Sequence, residues 1–253
     1  MASKENPPFG LLARFYDEIL PGMHEMNRQA RQRMLGTTMG TVGTVCDLAC
    51  GNGGTAIELA RAGKRVHAVD NSPEFCRIVR TRARAERLPI RVLRADMRNF
   101  RIPEPVDLVT CEFSSLNNLT DPRDLARIFR AVFQALRPGG RFLFDVNTLL
   151  SLDEQCRDTH WFESPRFKLV LRPAGLDLNG QRVRIDLEWF LPAGKLWRHV
   201  RETIFNVGWS DREIRQVLRR AGFKRPQFRD GMDVRPPMPG AKRGYDAYYL
   251  TRK

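Results

Sequence analysis

Three acidic positions and a glycine-rich turn carry the chemistry in this 253-residue chain. The run Val45-Cys46-Asp47-Leu48-Ala49-Cys50-Gly51-Asn52-Gly53-Gly54 passes from an apolar segment into a turn, and Thr55 to Ala60 open a helix. Glycine takes positive φ without steric cost, so the turn can be tight. The free amides of the helix start then face whatever lies over it. Strand, glycine turn and helix make the nucleotide-binding corner of an open α/β sheet. Gly51-x-Gly53-x-x-Ala56 also matches the dinucleotide fingerprint letter for letter. Asp47 argues against a dinucleotide, because a carboxylate at the end of the strand would repel a pyrophosphate. The same carboxylate suits a cationic ligand. Asp70, 23 positions further on at the end of Arg65-Val66-His67-Ala68-Val69-Asp70, can take the two hydroxyls of a ribose. Both ligand classes need that acid, so it does not choose between them.

S-adenosylmethionine (SAM) is a nucleoside with a sulfonium, an ammonium and no phosphate. Over roughly residues 9–148, and more loosely beyond, the chain resembles the class I SAM-dependent methyltransferases. The first motif of that family, acid-x-Gly-x-Gly-x-Gly, stands here as Asp47-x-Ala49-x-Gly51-x-Gly53, with Ala49 replacing the first glycine. Asp70 matches the ribose acid. Ala95-Asp96-Met97 matches the third motif, in which the Asp receives the adenine amino group and the next residue packs on the ring. Leu136-Arg137-Pro138-Gly139-Gly140 matches the turn before the fifth strand. Four motifs in order are far more specific than any one of them. The resemblance implies a cofactor-binding set of Tyr16, Asp47, Ala49, Cys50, Gly51, Asn52, Gly53, Asp70, Asn71, Asp96, Met97, Glu112 and Phe113. Tyr16 enters through a Phe-Tyr-Asp run whose Tyr often touches the SAM carboxylate in relatives; ordinary helix packing is its competing role.

The elements that must position these groups follow from hydrophobic periodicity. Phe9 to Leu20 has helical spacing, Pro21-Gly22 breaks it, and a second helix covers Met23–Leu35. Strands are expected at about 43–49, 65–69, 90–93, 106–111 and 141–146. Helices are expected at about 54–62, after Ser72-Pro73, and from Asp121-Pro122 to Leu136, where Pro138-Gly139-Gly140 stops the last of them. From about 150 to 207 the helical period fades. Segments 167–171, 183–189 and 196–207 alternate like strands, and Asn179-Gly180 and Pro192-Ala193-Gly194 supply turns. Ser210 and Glu213 form a capping-box pattern before a helix to Ala221, and two strands close the chain. The expected fold is therefore α/β: a Rossmann-like, doubly wound, seven-stranded methyltransferase sheet with a small antiparallel β insertion of about three strands after strand five. Its expected parts are an N-terminal helical cover (1–36), with residues 1–8 frayed, and a SAM-binding core (37–148). An insertion over the active site (149–208) and a C-terminal helix with the last two core strands (209–253) follow.

Methyl transfer from a sulfonium is an in-line displacement with a neutral leaving group. The enzyme mainly aligns the nucleophile and excludes water. A neutral amine needs no strong base, whereas a hydroxyl usually does. Glu112, Asn147 and His160 are the candidate base or substrate-orienting residues. Binding the SAM ammonium is the competing role for Glu112, and packing or surface exposure is that for His160. Trp161, Trp189 and Trp197 read either as an aromatic wall for a cationic amine or as the core of the small sheet. Base-amino methyltransferases of nucleic acids resemble one another in an Asp/Asn-Pro-Pro-aromatic motif after strand four. Here that place holds Cys111-Glu112-Phe113-Ser114, a run similar to small-molecule N-methyltransferases.

The formal net charge is +14, and nine arginines fall between Arg77 and Arg101. This density reads as a solvated basic face or as a surface for a polyanion. Five cysteines form no C-x-x-C pair and four histidines show no ligand spacing, so free thiols and no metal are expected. Without a signal peptide or an apolar run long enough for a bilayer, a cytoplasmic location and no membrane partner are expected. The reading is a SAM-dependent methyltransferase of a small-molecule acceptor, at an amine nitrogen first. An RNA or protein methyltransferase, an NAD-type dehydrogenase and a SAM-binding protein without catalysis are the alternatives.

Overall fold

The computed structural model describes residues 10–119, 121–177, 180–236 and 242–253. Residues 1–8, Phe9 and Asn179 of the expected turn lie outside them. In chain order the elements are α1 (Gly10–Ile19), α2 (Met23–Leu35), β1 (Thr44–Leu48), α3 (Gly54–Arg61), β2 (Arg65–Asp70), α4 (Pro73–Ala85), β3 (Ile90–Arg94) and β4 (Val106–Cys111). Then come α5 (Asp124–Ala135), β5 (Leu136–Asn147), α6 (Leu149–Gln155), β6 (His160–Ser164), β7 (Phe167–Asp177), β8 (Arg182–Ala193) and β9 (Leu196–Val207). The chain closes with α7 (Asp211–Ala221), β10 (Lys224–Asp230), α8 (Gly231–Val234) and β11 (Asp246–Arg252).

Seven strands form one sheet in the order β10-β11-β5-β4-β1-β2-β3. Strands β1 to β5 pair in parallel, whereas β11 runs antiparallel to both β5 and β10. Helices on both faces explain why β4 is buried at every residue. Successive side chains point to opposite faces. Leu108, Leu143 and Leu250 pack toward α3 and α4. Val109, Phe142, Phe144 and Tyr249 pack under α5 and α7. The capping box Ser210/Glu213 forms as its spacing implies.

Two details differ from the expected pattern. The helix before β5 stops at Ala135, and Leu136 already pairs with Val106; the Pro138-Gly139-Gly140 turn is a bulge within β5, before Arg141 rejoins at Leu108. The insertion has four antiparallel strands, β6-β7-β8-β9, rather than about three. β6 is five residues long with only one half-buried apolar side chain, Phe162, so its sequence carries little period. It exists because it pairs with β7 from His160↔Leu171 to Ser164↔Phe167.

The insertion grips α1. Phe15 packs 4.7 Å from Phe167 and 5.7 Å from Trp189, centroid to centroid. Glu202 on β9 accepts hydrogen bonds from the Leu11 N–H (2.9 Å) and from Trp189 Nε1 (2.9 Å). Trp189 is thus core, and Trp161 and Trp197 are exposed. Among the described residues no helix is long and apolar enough to cross a membrane. All five cysteines are free thiols, four of them buried.

Gly53 shows how tightly the glycine turn is packed. Its φ is +82°, and a Cβ there would sit 2.7 Å from Val79 Cγ2 on α4. Left-handed backbone and overpacking each cost about 1–3 kcal/mol. Gly53→Ala is therefore expected to lower stability by about 2–4 kcal/mol in urea unfolding, and adding Val79→Ala to recover part of that loss.

Candidate active site

A cavity of about 590 Å³ opens at the carboxyl ends of β1, β2 and β4, under α1 and the start of α2. It spans the point where the chain, having built β2 and β3 on one side of β1, crosses to β4 on the other. That is where open α/β sheets bind ligands.

Asp47 stands near the end of β1, 2% exposed. Its Oδ1 accepts a hydrogen bond from Thr110 Oγ1 at 2.9 Å. Its Oδ2 is buried and has no partner. Burial, and next the charge of Glu112, raise its carboxyl to about 7. A buried carboxylate oxygen with an open lone pair costs free energy until a donor arrives. An ammonium in the cavity is such a donor, so the site fits the cationic SAM rather than a pyrophosphate. Asp70, at the end of β2, accepts the N–H groups of Gly51 (2.9 Å) and Ser72 (2.8 Å) and so pins the glycine turn to the start of α4. Burial raises its carboxyl too, against these hydrogen bonds. Asp96 pairs with Arg98 at 2.6 Å, which lowers its carboxyl.

Tyr16, Asp47, Ala49, Cys50, Gly51, Asn52, Asp70, Asn71, Asp96, Met97, Glu112 and Phe113 all line this one cavity. Gly53 does not; it serves the contact with Val79. Ala49 has φ +55°, a left-handed conformation that costs an L-residue about 1–2 kcal/mol. A glycine in the family's first position would avoid that cost. Burial, and then Asp145, Asp17 and Asp70, raise the Tyr16 hydroxyl well above its usual range, so it stays protonated.

The expected base candidates sit differently from one another. Glu112 is buried, and its two oxygens accept from Arg31 Nη1 (2.8 and 2.6 Å) and Thr55 Oγ1 (2.8 Å). Both its oxygens thus already accept donors. Asn147 lies just behind the cavity, with Oδ1 receiving Ser114 Oγ (2.9 Å) and its N–H donated to Asn117 Oδ1 (3.0 Å). His160 is exposed at the start of β6 and does not reach the cavity wall. Strand pairing decides its place, and the sequence around it gives no sign of that pairing.

Arg31, behind the cavity wall, and His24, in it, carry no sequence signal. Arg31 is one of several basic residues on α2, yet it is 2% exposed and also pairs with Glu58. Strong partners keep it charged against the cost of burial. His24 packs over Gly54, where a Cβ would lie 2.1 Å from its Nδ1. Burial lowers its imidazole, so it is neutral near pH 7. Tyr16, His24, Phe75 and Phe113 form one aromatic group, with Tyr16 5.8 Å from Phe75 and 6.2 Å from Phe113. Among the described residues no group of three or more His, Cys, Asp or Glu could hold a metal ion.

A mostly parallel sheet with this strand order, a glycine turn ending β1, a buried acid ending β2 and an open carboxylate for a cation are features that suit a SAM-dependent methyltransferase. Residues 45–140 match the family described as a methyltransferase domain, and the site fits SAM as its cofactor. The chain is 27% identical to YqeM of Bacillus subtilis, named as a methyltransferase, over 72% of this chain and 74% of that one. Its fold is similar to that of a SAM-dependent methyltransferase from Clostridium acetobutylicum (TM-score 0.80, 21% identity, 96% of this chain and 98% of that one). It is also similar to the sugar N-methyltransferase KedS8 from Streptoalloteichus (TM-score 0.72, 19% identity, 100% and 96%).

Removing Arg31 leaves Glu112 as an unpaired buried charge, a change that typically costs 3–5 kcal/mol. Arg31→Met is expected to destabilise by about that much in urea unfolding. Adding Glu112→Gln to Arg31→Met should restore a large part of the loss.

Proposed function

We propose that the chain methylates an amine nitrogen of a small molecule. The observation that carries this reading is the surplus of carboxylate in the deep part of the cavity. Asp47, Asp70 and Glu112 line it, and the guanidinium buried against them, Arg31, is already shared between Glu112 and Glu58. Bound SAM supplies a methyl group on a cationic sulfur and answers part of this negative field. The rest favours a neutral amine nitrogen, which becomes positively charged as its lone pair takes the methyl group and the sulfur leaves as a neutral thioether. Asp47 takes the cofactor's ammonium, Asp70 its ribose, and Asp96 with Met97 its adenine. The rings of Tyr16, Phe75 and Phe113 give the acceptor side apolar faces that can stabilise the ammonium as it forms. Phe113 and Tyr16 also keep water from the reacting line.

The sequence Cys111-Glu112-Phe113-Ser114 lacks the proline-rich signature of base-amino methyltransferases, and the likeness to a sugar N-methyltransferase leans the same way. Several exposed arginines are engaged with near carboxylates, such as Arg77 with Glu74 and Arg215 with Asp211, which supports the small-molecule reading over a polyanion. The test is a panel of amines, amino sugars, phenols and a short RNA, each incubated with SAM and scored by mass spectrometry for a 14-dalton gain. Methylated amines support the reading. Methylation confined to hydroxyls or to RNA overturns it.

The Asp47 assignment carries its own pH signature. Only the ionised carboxylate holds an ammonium, and its raised value of about 7 puts the ionisation in the neutral range. SAM affinity is therefore expected to rise between about pH 6 and pH 8 and then level off, read by isothermal titration. Asp47→Asn should flatten that rise and weaken binding about 10- to 100-fold, since a hydrogen bond to a charged group contributes about 1.5–3 kcal/mol.

A further inference from the structure

The turn that follows β4 is strained, and one side chain outside the cavity wall holds it. Phe113 has φ +62° and Ser114 φ +51°. Two consecutive side-chain-bearing residues in the left-handed region persist only where the surroundings over-determine them. Here the surroundings are on β5. Asp145 is 4% exposed, and its Oδ2 lies 2.8 Å from the Ser114 N–H and 3.1 Å from Ser114 Oγ. Ser114 Oγ also reaches Asn147 Oδ1 at 2.9 Å. The far side of the turn is tied down as well: the Asn117 N–H donates to the Ser114 carbonyl, and Asn117 Nδ2 donates to the Asn147 and Val207 carbonyls. The product of this geometry is the position of one ring. Phe113 stands edge-on to Tyr16 at 6.2 Å and to His24 at 5.3 Å, and all three line the cavity.

We propose that Asp145 is a positioning residue for methyl transfer: its carboxyl straps the left-handed Phe113–Ser114 turn to β5 and thereby sets the Phe113 ring against the cofactor cavity. The site described above does not use Asp145, and Asp145 does not line the cavity. It acts through Ser114. Its other oxygen, Oδ1, is buried without a partner. A carboxyl kept there at the cost of an unsatisfied atom has a task that a plain apolar filler could not do. Burial raises the group to about 7, so a neutral side chain of the same shape is a close substitute. Asparagine keeps an acceptor oxygen for the Ser114 N–H; alanine does not. Glycine at position 114 takes positive φ unaided and needs no strap.

The experiment is S-adenosylhomocysteine binding by isothermal titration, with thermal unfolding alongside, on the full chain. The variants are Asp145→Ala, Asp145→Asn, Ser114→Gly and the Asp145→Ala/Ser114→Gly double mutant. Asp145→Ala is expected to weaken binding at least tenfold and Asp145→Asn by no more than about threefold, with the double mutant recovering most of the tenfold loss. Equal losses in Asp145→Ala and Asp145→Asn would overturn the proposal, because the charge and not the hydrogen bond would then matter. So would an Asp145→Ala loss that Ser114→Gly leaves untouched, or no loss at all. Should Asp145→Ala not fold, Asp145→Leu, which fills the volume without an acceptor, takes its place in the same comparison with Ser114→Gly.

Discussion

A guanidinium enclosed between two carboxylates ties the three layers of the site together. Arg31 comes from α2, Glu58 from α3 and Glu112 from the end of β4, and Thr55 closes the ring onto Glu112. Burying charges is costly, and it is tolerated only where each charge meets its complement with good geometry. The cover helix, the helix after the glycine turn and the central strand must therefore assemble in one register or leave an ion stranded. That requirement fixes the roof over the cavity more sharply than apolar packing does, because apolar contacts tolerate small shifts and a closed ion network does not.

The same cavity leaves negative charge unanswered next to the satisfied network. Both oxygens of Glu112 have donors, while Asp47, one strand away, keeps a bare oxygen. Burial, and next the charge of Glu112, raises the cost of ionising Asp47, so with Glu112 paired to Arg31, Asp47 is the place where a cation lowers the energy most. Asp70 differs again, since backbone amides hold both its oxygens and its geometry is set by the turn it pins. Three acids of similar sequence appearance thus perform three different physical tasks.

Much of this was legible in the chain itself. The strand, turn and helix from Val45 to Ala60, the acid at Asp70 and the Asp96-Met97 pair fix the sheet and one side of the cavity through local patterns, where glycines and strand ends have definite spacing. Long, strongly periodic stretches such as Leu125 to Leu136 also show their buried face directly. The missing parts are non-local. Arg31 looks like its basic neighbours until the fold closes around it, and His24 looks like a surface histidine on a polar helix. His160 shows the reverse case: adjacency to an insertion suggested a role, and the pairing of β6 with β7 carried it out to solvent. The fourth strand of the insertion and the bulge at Pro138-Gly139-Gly140 were hidden for the same reason, because strand existence there depends on a partner rather than on its own residues.

The helix α1 has ten residues, too few for an isolated helix to hold its shape in water. It exists because the insertion sheet clasps it, with Phe15 against Phe167 and Trp189 and Glu202 receiving the Leu11 amide. Yet its adjoining side, through Leu12 and Tyr16, is a wall of the cavity. The order of that wall is thus borrowed from a sheet packed beside it, which itself adds Ile204 to the cavity. A ligand that tightens the sheet tightens the wall, and by thermodynamic reciprocity a cofactor that tightens the wall returns the same factor to the sheet.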